Sequence, residues 1–204
     1  VVSQPDRPSG RNMKLQKTPV KEYAESKNIK VYQSEKIKKD TELINTLKAL
    51  KPDVIVVVAF GQILSKEILD IPKYGSVNVH GSLLPKYRGA APIQWSVING
   101  DKVTGITTMY MDAGMDTGDM IEKLEVPITD DDTFGTVYEK MKIAGGKLIV
   151  ETLEKIADGM APRTKQPEEF TIAPMIEKSM GNIDWNMSSK KIRNLIRGFN
   201  PMPG

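Results

Sequence analysis

The stretch DVIVVVAF, Asp53 to Phe60, is apolar at every position after the aspartate and shows no alternation. A strand with one wet face alternates apolar and polar residues. An unbroken run instead describes a strand buried on both faces, the habit of parallel sheets covered by helices. The run is also far too short for a membrane helix, which takes ~20 apolar residues. Immediately before it, Thr41 to Leu50 spaces Leu43, Ile44, Leu47 and Leu50 along one helical face. A helix followed by a buried strand starts an alternation that runs on in both directions.

Upstream, Pro19 to Asn28 reads as a helix, with Thr18 as its N-cap and Pro19 in the tolerated first position. A short strand follows at Ile29 to Gln33. Downstream come a brief helix at Ser65 to Leu69, a strand at Ser76 to His80 and a helix at Ala91 to Asn99. Strands at Gly105 to Met111 and Met120 to Ile128 lead to a long amphipathic helix from Thr133 to Ala157, stopped by Gly159. After Met160 the pattern dissolves until a short helix near Ser188 to Gly198. Alternating strands and helices predict an α/β domain whose sheet is largely parallel, with helices on both faces. The chain opens at Val1 in what reads as the tail of a strand and closes on the turn-rich GFNPMPG. Both ends therefore predict a piece of a longer protein.

Composition narrows the chemistry. There is no cysteine and a single histidine, His80, among 204 residues. Disulfides, thiol catalysis and cysteine-ligated metals are excluded, and a zinc site has almost nothing to bind with. Neither G-x-G-x-x-G nor a Walker A sequence occurs, so a phosphate-cradling nucleotide fold has no direct support. No secretory pattern opens the chain, which makes the cytoplasm the default. The net charge of +3 is too small to argue for nucleic acid. Its distribution says more: Arg7, Arg11, Lys14, Lys17 and Lys21 follow one another without an acid, in a Pro- and Gly-containing stretch that reads as a loop. Such a loop is most often solvated surface; a phosphate-contacting role is the alternative.

In open α/β sheets, ligands sit at the carboxyl ends of strands. The predicted strand at 76–80 ends in Asn78 and His80, two residues apart and so on one face. The strand at 105–111 runs into DAGMDTGD, which carries Asp112, Asp116 and Asp119. A lone histidine near a strand end is more often structural than catalytic, and Asp-Gly segments are usually turns. The combination says otherwise. An amide N–H stabilises a developing oxyanion, an imidazole takes a proton near neutral pH, and a carboxylate orients the ring. That set suits acyl transfer to an amine without a metal or a covalent enzyme intermediate.

NVHGSLLPKYRGAAPIQWSVINGD followed by MDAGMDTGDMI resembles the 10-formyltetrahydrofolate-dependent formyltransferase family. QPDRPSGR near the start and IRGFNPMPG at the end resemble the branch of that family whose acceptor is initiator methionyl-tRNA. The resemblance implies a Rossmann-like domain over residues 1–175, short of its first strand and helix. A terminal helix and linker over 176–204 would lead to a small β-barrel. It implies a catalytic set of Asn78, His80 and Asp116. The folate cosubstrate is expected against Phe60, Gln62, Ile63 and Leu64 and against Ser82, Leu83, Leu84 and Pro85, with the backbone near Asp112 reading the pterin. Arg7, Arg11, Lys14 and Lys17 are implied as tRNA contacts, with the protein a monomer that needs no metal and no membrane. Glycinamide ribonucleotide and sugar-nucleotide amines are acceptors of relatives with the same triad. A module that only binds the formyl folate, or hydrolyses it, is the third reading.

Overall fold

The computed structural model describes residues 1–9 and 13–204. These fall into two compact units, Val1–Gly75 and Ser76–Gly204.

The first unit runs β1 (Val2–Ser3), β2 (Arg7–Ser9), β3 (Lys14–Gln16), α1 (Pro19–Ser26), β4 (Tyr32–Gln33), α2 (Thr41–Leu50), β5 (Ile55–Val57) and α3 (Lys66–Leu69). Strands β1 and β4 pair in parallel. The Thr18 hydroxyl accepts the Lys21 N–H at 3.3 Å and Pro19 opens α1, as the cap signal predicts. Asp40 caps α2 by accepting the Leu43 N–H at 3.0 Å. That bond and one from Ser34 hold its carboxyl below the ordinary range. Ile37, Leu43, Ile44 and Ile68 form the core, with Ile55, Phe60 and Leu64 packed against it.

Two expectations change here. Strand β5 is not buried on both faces: Ile55 joins the core, whereas Val56 and Val58 point the other way and are 40% and 59% exposed. The described apolar cluster of this unit reaches only one side of the strand. The basic stretch is not plain loop either, because β2 and β3 form an antiparallel hairpin in which Arg7 faces Gln16. The strand Lys14–Gln16 is exposed throughout, so it carries no apolar alternation to reveal it.

The second unit runs β6 (Ser76–His80), β7 (Arg88–Gly89), α4 (Pro92–Ile98), β8 (Val103–Tyr110), β9 (Met120–Pro127), α5 (Phe134–Ala157), β10 (Ile172–Ala173) and α6 (Ser189–Phe199). Strand β6 pairs antiparallel with β8, and β8 antiparallel with β9 across an irregularity at Thr108 and Met109. Strands β7 and β10 pair in parallel. The α/β class holds, but with mixed strand directions, since the 111–119 loop folds β9 straight back onto β8. On one face of the β6–β8 pair, Val79 and Ile106 join Val97 of α4 and Val137, Met141 and Leu148 of α5 in the main core. The opposite face carries Asn78 and His80, directly across from Met109 and Thr107.

Helix α5 starts with a reciprocal cap between Thr133 and Thr136. Helix α6 is pinned by buried Arg197, which donates to the carbonyls of Asp132 (2.6 Å) and Thr129 (2.7 Å) and to the Asn194 side chain (3.0 Å). Gly198 lets α6 lie close on α4: a Cβ there would come within 2.3 Å of the Ile98 side chain. No helix among the described residues is long and apolar enough to cross a membrane.

Candidate active site

The final turn of β6 delivers Asn78 and His80 to one face, and the chain then folds back over that face. Thr107 of β8 holds the fold-back, its hydroxyl donating to the Ser82 carbonyl at 2.7 Å and accepting the Leu84 N–H at 3.0 Å. The Ser82 hydroxyl donates to the Lys86 carbonyl at 2.5 Å, and Lys123 donates to the Leu84 carbonyl at 2.5 Å. Leu84 itself is sealed against Met109 and Met120. Ser82 and Leu84 thus turn their side chains inward to build the loop. Leu83 and Pro85 are the members of this group left with partly exposed apolar surface.

The fold-back ends at Tyr87, in the left-handed region at φ 60. Its N–H donates to Thr171 Oγ1 at 2.8 Å, and its phenol lies between Asp101 (2.8 Å) and Asn99 (3.0 Å). Burial pushes that phenol up to about 12, so it stays a neutral donor to Asp101. The Tyr87 carbonyl lies 2.9 Å from His80 Nε2. A carbonyl only accepts, so Nε2 carries the hydrogen. In the neutral ring, Nδ1 is then left with its lone pair free to take a proton.

Nδ1 faces Asp116 Oδ1 at 3.6 Å, with the two side chains only 6% and 17% exposed. That is too long for a direct hydrogen bond and within Coulombic reach. Asp116 is fixed from elsewhere: Oδ2 accepts the Gly89 N–H at 2.8 Å, and its own carbonyl accepts from Gln166 at 2.8 Å. Its φ is 54, again left-handed for a residue that is not glycine. Asp112 organises the same loop by accepting from the Gly114 N–H (3.0 Å) and the Thr117 hydroxyl (2.6 Å). Its carboxylate is engaged as a turn former, and what the loop offers a ligand is exposed backbone. The Asn78 carboxamide makes no hydrogen bond among the described residues.

His80 and Asp116 therefore face each other, and Asn78 shares the strand face of His80, but the setting is an antiparallel pair and not the carboxyl ends of parallel strands. Phe60, Gln62, Ile63 and Leu64 belong to the first unit. There Gln62 accepts from the Ile37 N–H at 2.9 Å and donates to the Ser34 carbonyl at 2.8 Å, while Ile63 is 80% exposed. Of the basic residues, Arg7 pairs with Glu35 at 3.0 Å and Lys17 with Glu25 at 2.7 Å, all four largely exposed. Lys14 is exposed. Arg11 lies outside the described residues. Tyr87, Gly89, Gln166 and Thr171 escaped the sequence reading. The first two act through a carbonyl and an amide, which every residue owns, and the others lie far along the chain from what they hold.

A loaded base facing a carboxylate, beside an unengaged amide on the same strand face, is equipment for moving a proton next to a developing oxyanion. The chain belongs to the formyl transferase family, which it matches over residues 1–153, with the formyl transferase C-terminal domain matched over residues 175–204. Among similar proteins, the methionyl-tRNA formyltransferase of Clostridioides difficile (strain 630) is 58% identical over 204 residues, all of this chain and 66% of the relative. That of Acetivibrio thermocellus is 54% identical over 204 residues, all of this chain and 65% of the relative. The chain thus spans just under two thirds of the length of these relatives. Among solved structures, the N-formyltransferase of Helicobacter canadensis, in complex with folinic acid and dTDP-3-aminofucose, superposes with a TM-score of 0.70 at 25% identity. The match covers 87% of this chain and 62% of that one. WlaRD, a sugar 3N-formyl transferase in the presence of dTDP and 5-N-formyl-THF, gives a TM-score of 0.69 at 26% identity, covering 90% of this chain and 63% of that one.

Proposed function

We propose that the protein transfers the formyl group of 10-formyltetrahydrofolate to the α-amino group of initiator methionyl-tRNA. The observation that carries this reading is the histidine geometry: Nε2 tied to the Tyr87 carbonyl at 2.9 Å and Nδ1 aimed at Asp116 at 3.6 Å, on the strand that also presents Asn78. The amine lone pair attacks the formyl carbon, and the carbonyl electrons move to oxygen. The neutral His80 ring takes the amine proton on Nδ1, backed by Asp116, and the imidazolium so formed stabilises the oxyanion together with Asn78 Nδ2–H. Collapse of the tetrahedral centre breaks the bond to N10 of the folate, which takes that proton back from Nδ1. No bond to the enzyme forms at any stage.

The folate lies against Leu83 and Pro85, while the backbone near Asp112 reads the pterin. Apolar walls with a few aimed polar groups suit such a ligand, and relatives at 25–26% identity have been solved with folates. The basic stretch of sequence that carries Arg7, Arg11, Lys14 and Lys17 meets the tRNA backbone. The pairs with Glu35 and Glu25 are exposed, and solvent-facing pairs of that kind exchange readily for phosphate. We assign residues 1–175 to the catalytic part and 176–204 to the lead into a further domain. A monomer in the cytoplasm, where aminoacylated tRNA is made, is the setting this reading requires.

The acceptor choice rests on that basic stretch and on relatives above 50% identity named for methionyl-tRNA. The test is a formyl-transfer assay on the intact protein with methionyl-tRNA, glycinamide ribonucleotide and a sugar-nucleotide amine as rival acceptors. Preferred formylation of methionyl-tRNA is expected. Preference for either other acceptor, or release of formate to water alone, would overturn the assignment.

A further inference from the structure

We propose that Gln166 is a positioning residue for the reaction, holding Asp116 in register with His80. The proposal rests on the reading of Asp116 as the carboxylate partner of that histidine. Gln166 Nε2 donates to the carbonyls of Asp116 (2.8 Å) and Gly118 (2.9 Å), while its Oε1 accepts from Arg88 Nε (2.9 Å) and Nη2 (2.7 Å). The amide orientation is not arbitrary. Arg88 has only donors and the two carbonyls only accept, so a flipped amide would face both partners with the wrong atom. All four hydrogen-bonding capacities of the side chain are used.

The arrangement answers a specific mechanical need. Asp116 sits at φ 54, in the left-handed region that aspartate enters more readily than most residues but that the surroundings must still select over the ordinary one. Two independent tethers do so: the Gly89 N–H on Oδ2, and Gln166 on the main chain. Arg88 and Gly89 are adjacent, so β7 grips the carboxylate directly at Gly89 and, through Arg88 and Gln166, grips the backbone beneath it. Arg88 is itself 8% exposed and stacked on Phe170 at 4.5 Å, so it is a fixed post for Gln166. The stretch bearing Gln166 is anchored on both sides. Thr164 and Met120 exchange backbone hydrogen bonds at 2.8 and 3.0 Å, and Thr171 receives the Tyr87 N–H at 2.8 Å. Residues 164–173 thus form a strap that fixes the partners of both His80 nitrogens, and Gln166 is its contact with the carboxylate loop.

The decisive substitution is Gln166→Glu in the intact protein. It preserves shape and strengthens the pairing with Arg88, but it replaces Nε2, the donor to both carbonyls, with one oxygen facing them. The expected result is a kcat lower by about 100-fold, the scale on which small misplacement of a catalytic group acts, with KM for 10-formyltetrahydrofolate within about twofold. Gln166→Asn, uncharged but one methylene too short to span both carbonyls, is expected to lose a similar factor and serves if the glutamate variant does not fold. Each is then combined with Asp116→Ala. On this proposal Gln166 acts on the rate through the Asp116 carboxylate, so the double variant should be no slower than Asp116→Ala alone. Wild-type kcat in both Gln166 variants, or losses that multiply in the double variant, would overturn the proposal while leaving the site reading intact. Wild-type kcat in Asp116→Ala itself would overturn the reading of the site and the proposal with it.

Discussion

Replacing Asp132 with asparagine tests whether the start of α5 is held by a charge or by shape. The carboxylate is only 6% exposed. It accepts from the Thr129 N–H (2.7 Å), the Thr129 hydroxyl (2.9 Å), the Thr136 hydroxyl (2.8 Å) and Lys140 (2.6 Å). Burial alone would raise its pKa, but bonds from Lys140, the Thr129 amide and the Thr136 hydroxyl outweigh it and hold the group well below the usual carboxylate range. Asparagine keeps one acceptor oxygen but no charge, and turns an N–H₂ toward a partner that donates. Hydrogen bonds to a charged group net about 1.5–3 kcal/mol, so losing the charge-assisted part of this set should cost about 2–3 kcal/mol. For a domain of about 150–250 residues that lowers Tm by roughly 4–12 °C. The sign with pH follows. A depressed folded-state pKa stabilises above the unfolded value of about 4, and that stability is lost as pH falls through the folded value. Urea unfolding should therefore show the full deficit of Asp132→Asn at pH 7 and a shrinking one below about pH 4. A deficit under about 0.5 kcal/mol at pH 7, or one unchanged at pH 3, would refute the charge argument.

In the proposed reaction Asn78 donates to the oxyanion, so Asn78→Ala should lower kcat by about 10²–10³-fold with little change in folate KM, read from steady-state kinetics. Alanine at Arg7, Arg11, Lys14 and Lys17 together should raise KM for tRNA and flatten its dependence on salt, with folate affinity unaltered in a binding titration. Gly118→Ala would put a Cβ within 1.9 Å of the Tyr110 carbonyl, so the hairpin must shift. A loss of about 1–3 kcal/mol in denaturant unfolding is expected, together with a fall in kcat, since the Gly118 carbonyl is one of the two that Gln166 holds.

Some of this molecule could be read directly. Helix α2 at Thr41–Leu50 and strand β6 at Ser76–His80 have the predicted limits, because caps, periodicity and flanking turns are local signals. The Thr18–Pro19 start of α1 belongs with them. Strand direction was harder. Whether β8 and β9 run parallel or antiparallel is decided by how the 111–119 loop turns, and turn residues mark a reversal without saying which strands it joins. The hairpin of β2 and β3 left no trace because burial writes the period-two pattern, and Arg7, Pro8, Lys14, Leu15 and Gln16 are all exposed. The β7–β10 pair brings together stretches more than 80 residues apart, with two residues in each strand.

The site divides along the same line. Asn78, His80 and Asp116 are side chains whose identity is their chemistry, so a motif records them. The groups that make His80 directional are main-chain atoms: the Tyr87 carbonyl at Nε2 and the Gly89 amide on Asp116. Any residue supplies a carbonyl or an amide, so no residue type announces these contacts. What selects them is the left-handed backbone at Tyr87 and Asp116, both non-glycine and both held by a single stretch through Thr171 and Gln166. Holding the backbone on either side of the His80 ring keeps its two nitrogens inequivalent. One stays tied to a carbonyl, and the other is left to face the carboxylate. In the proposed reaction the histidine takes a proton on Nδ1 without its ring turning, because Nε2 is already tied to the Tyr87 carbonyl.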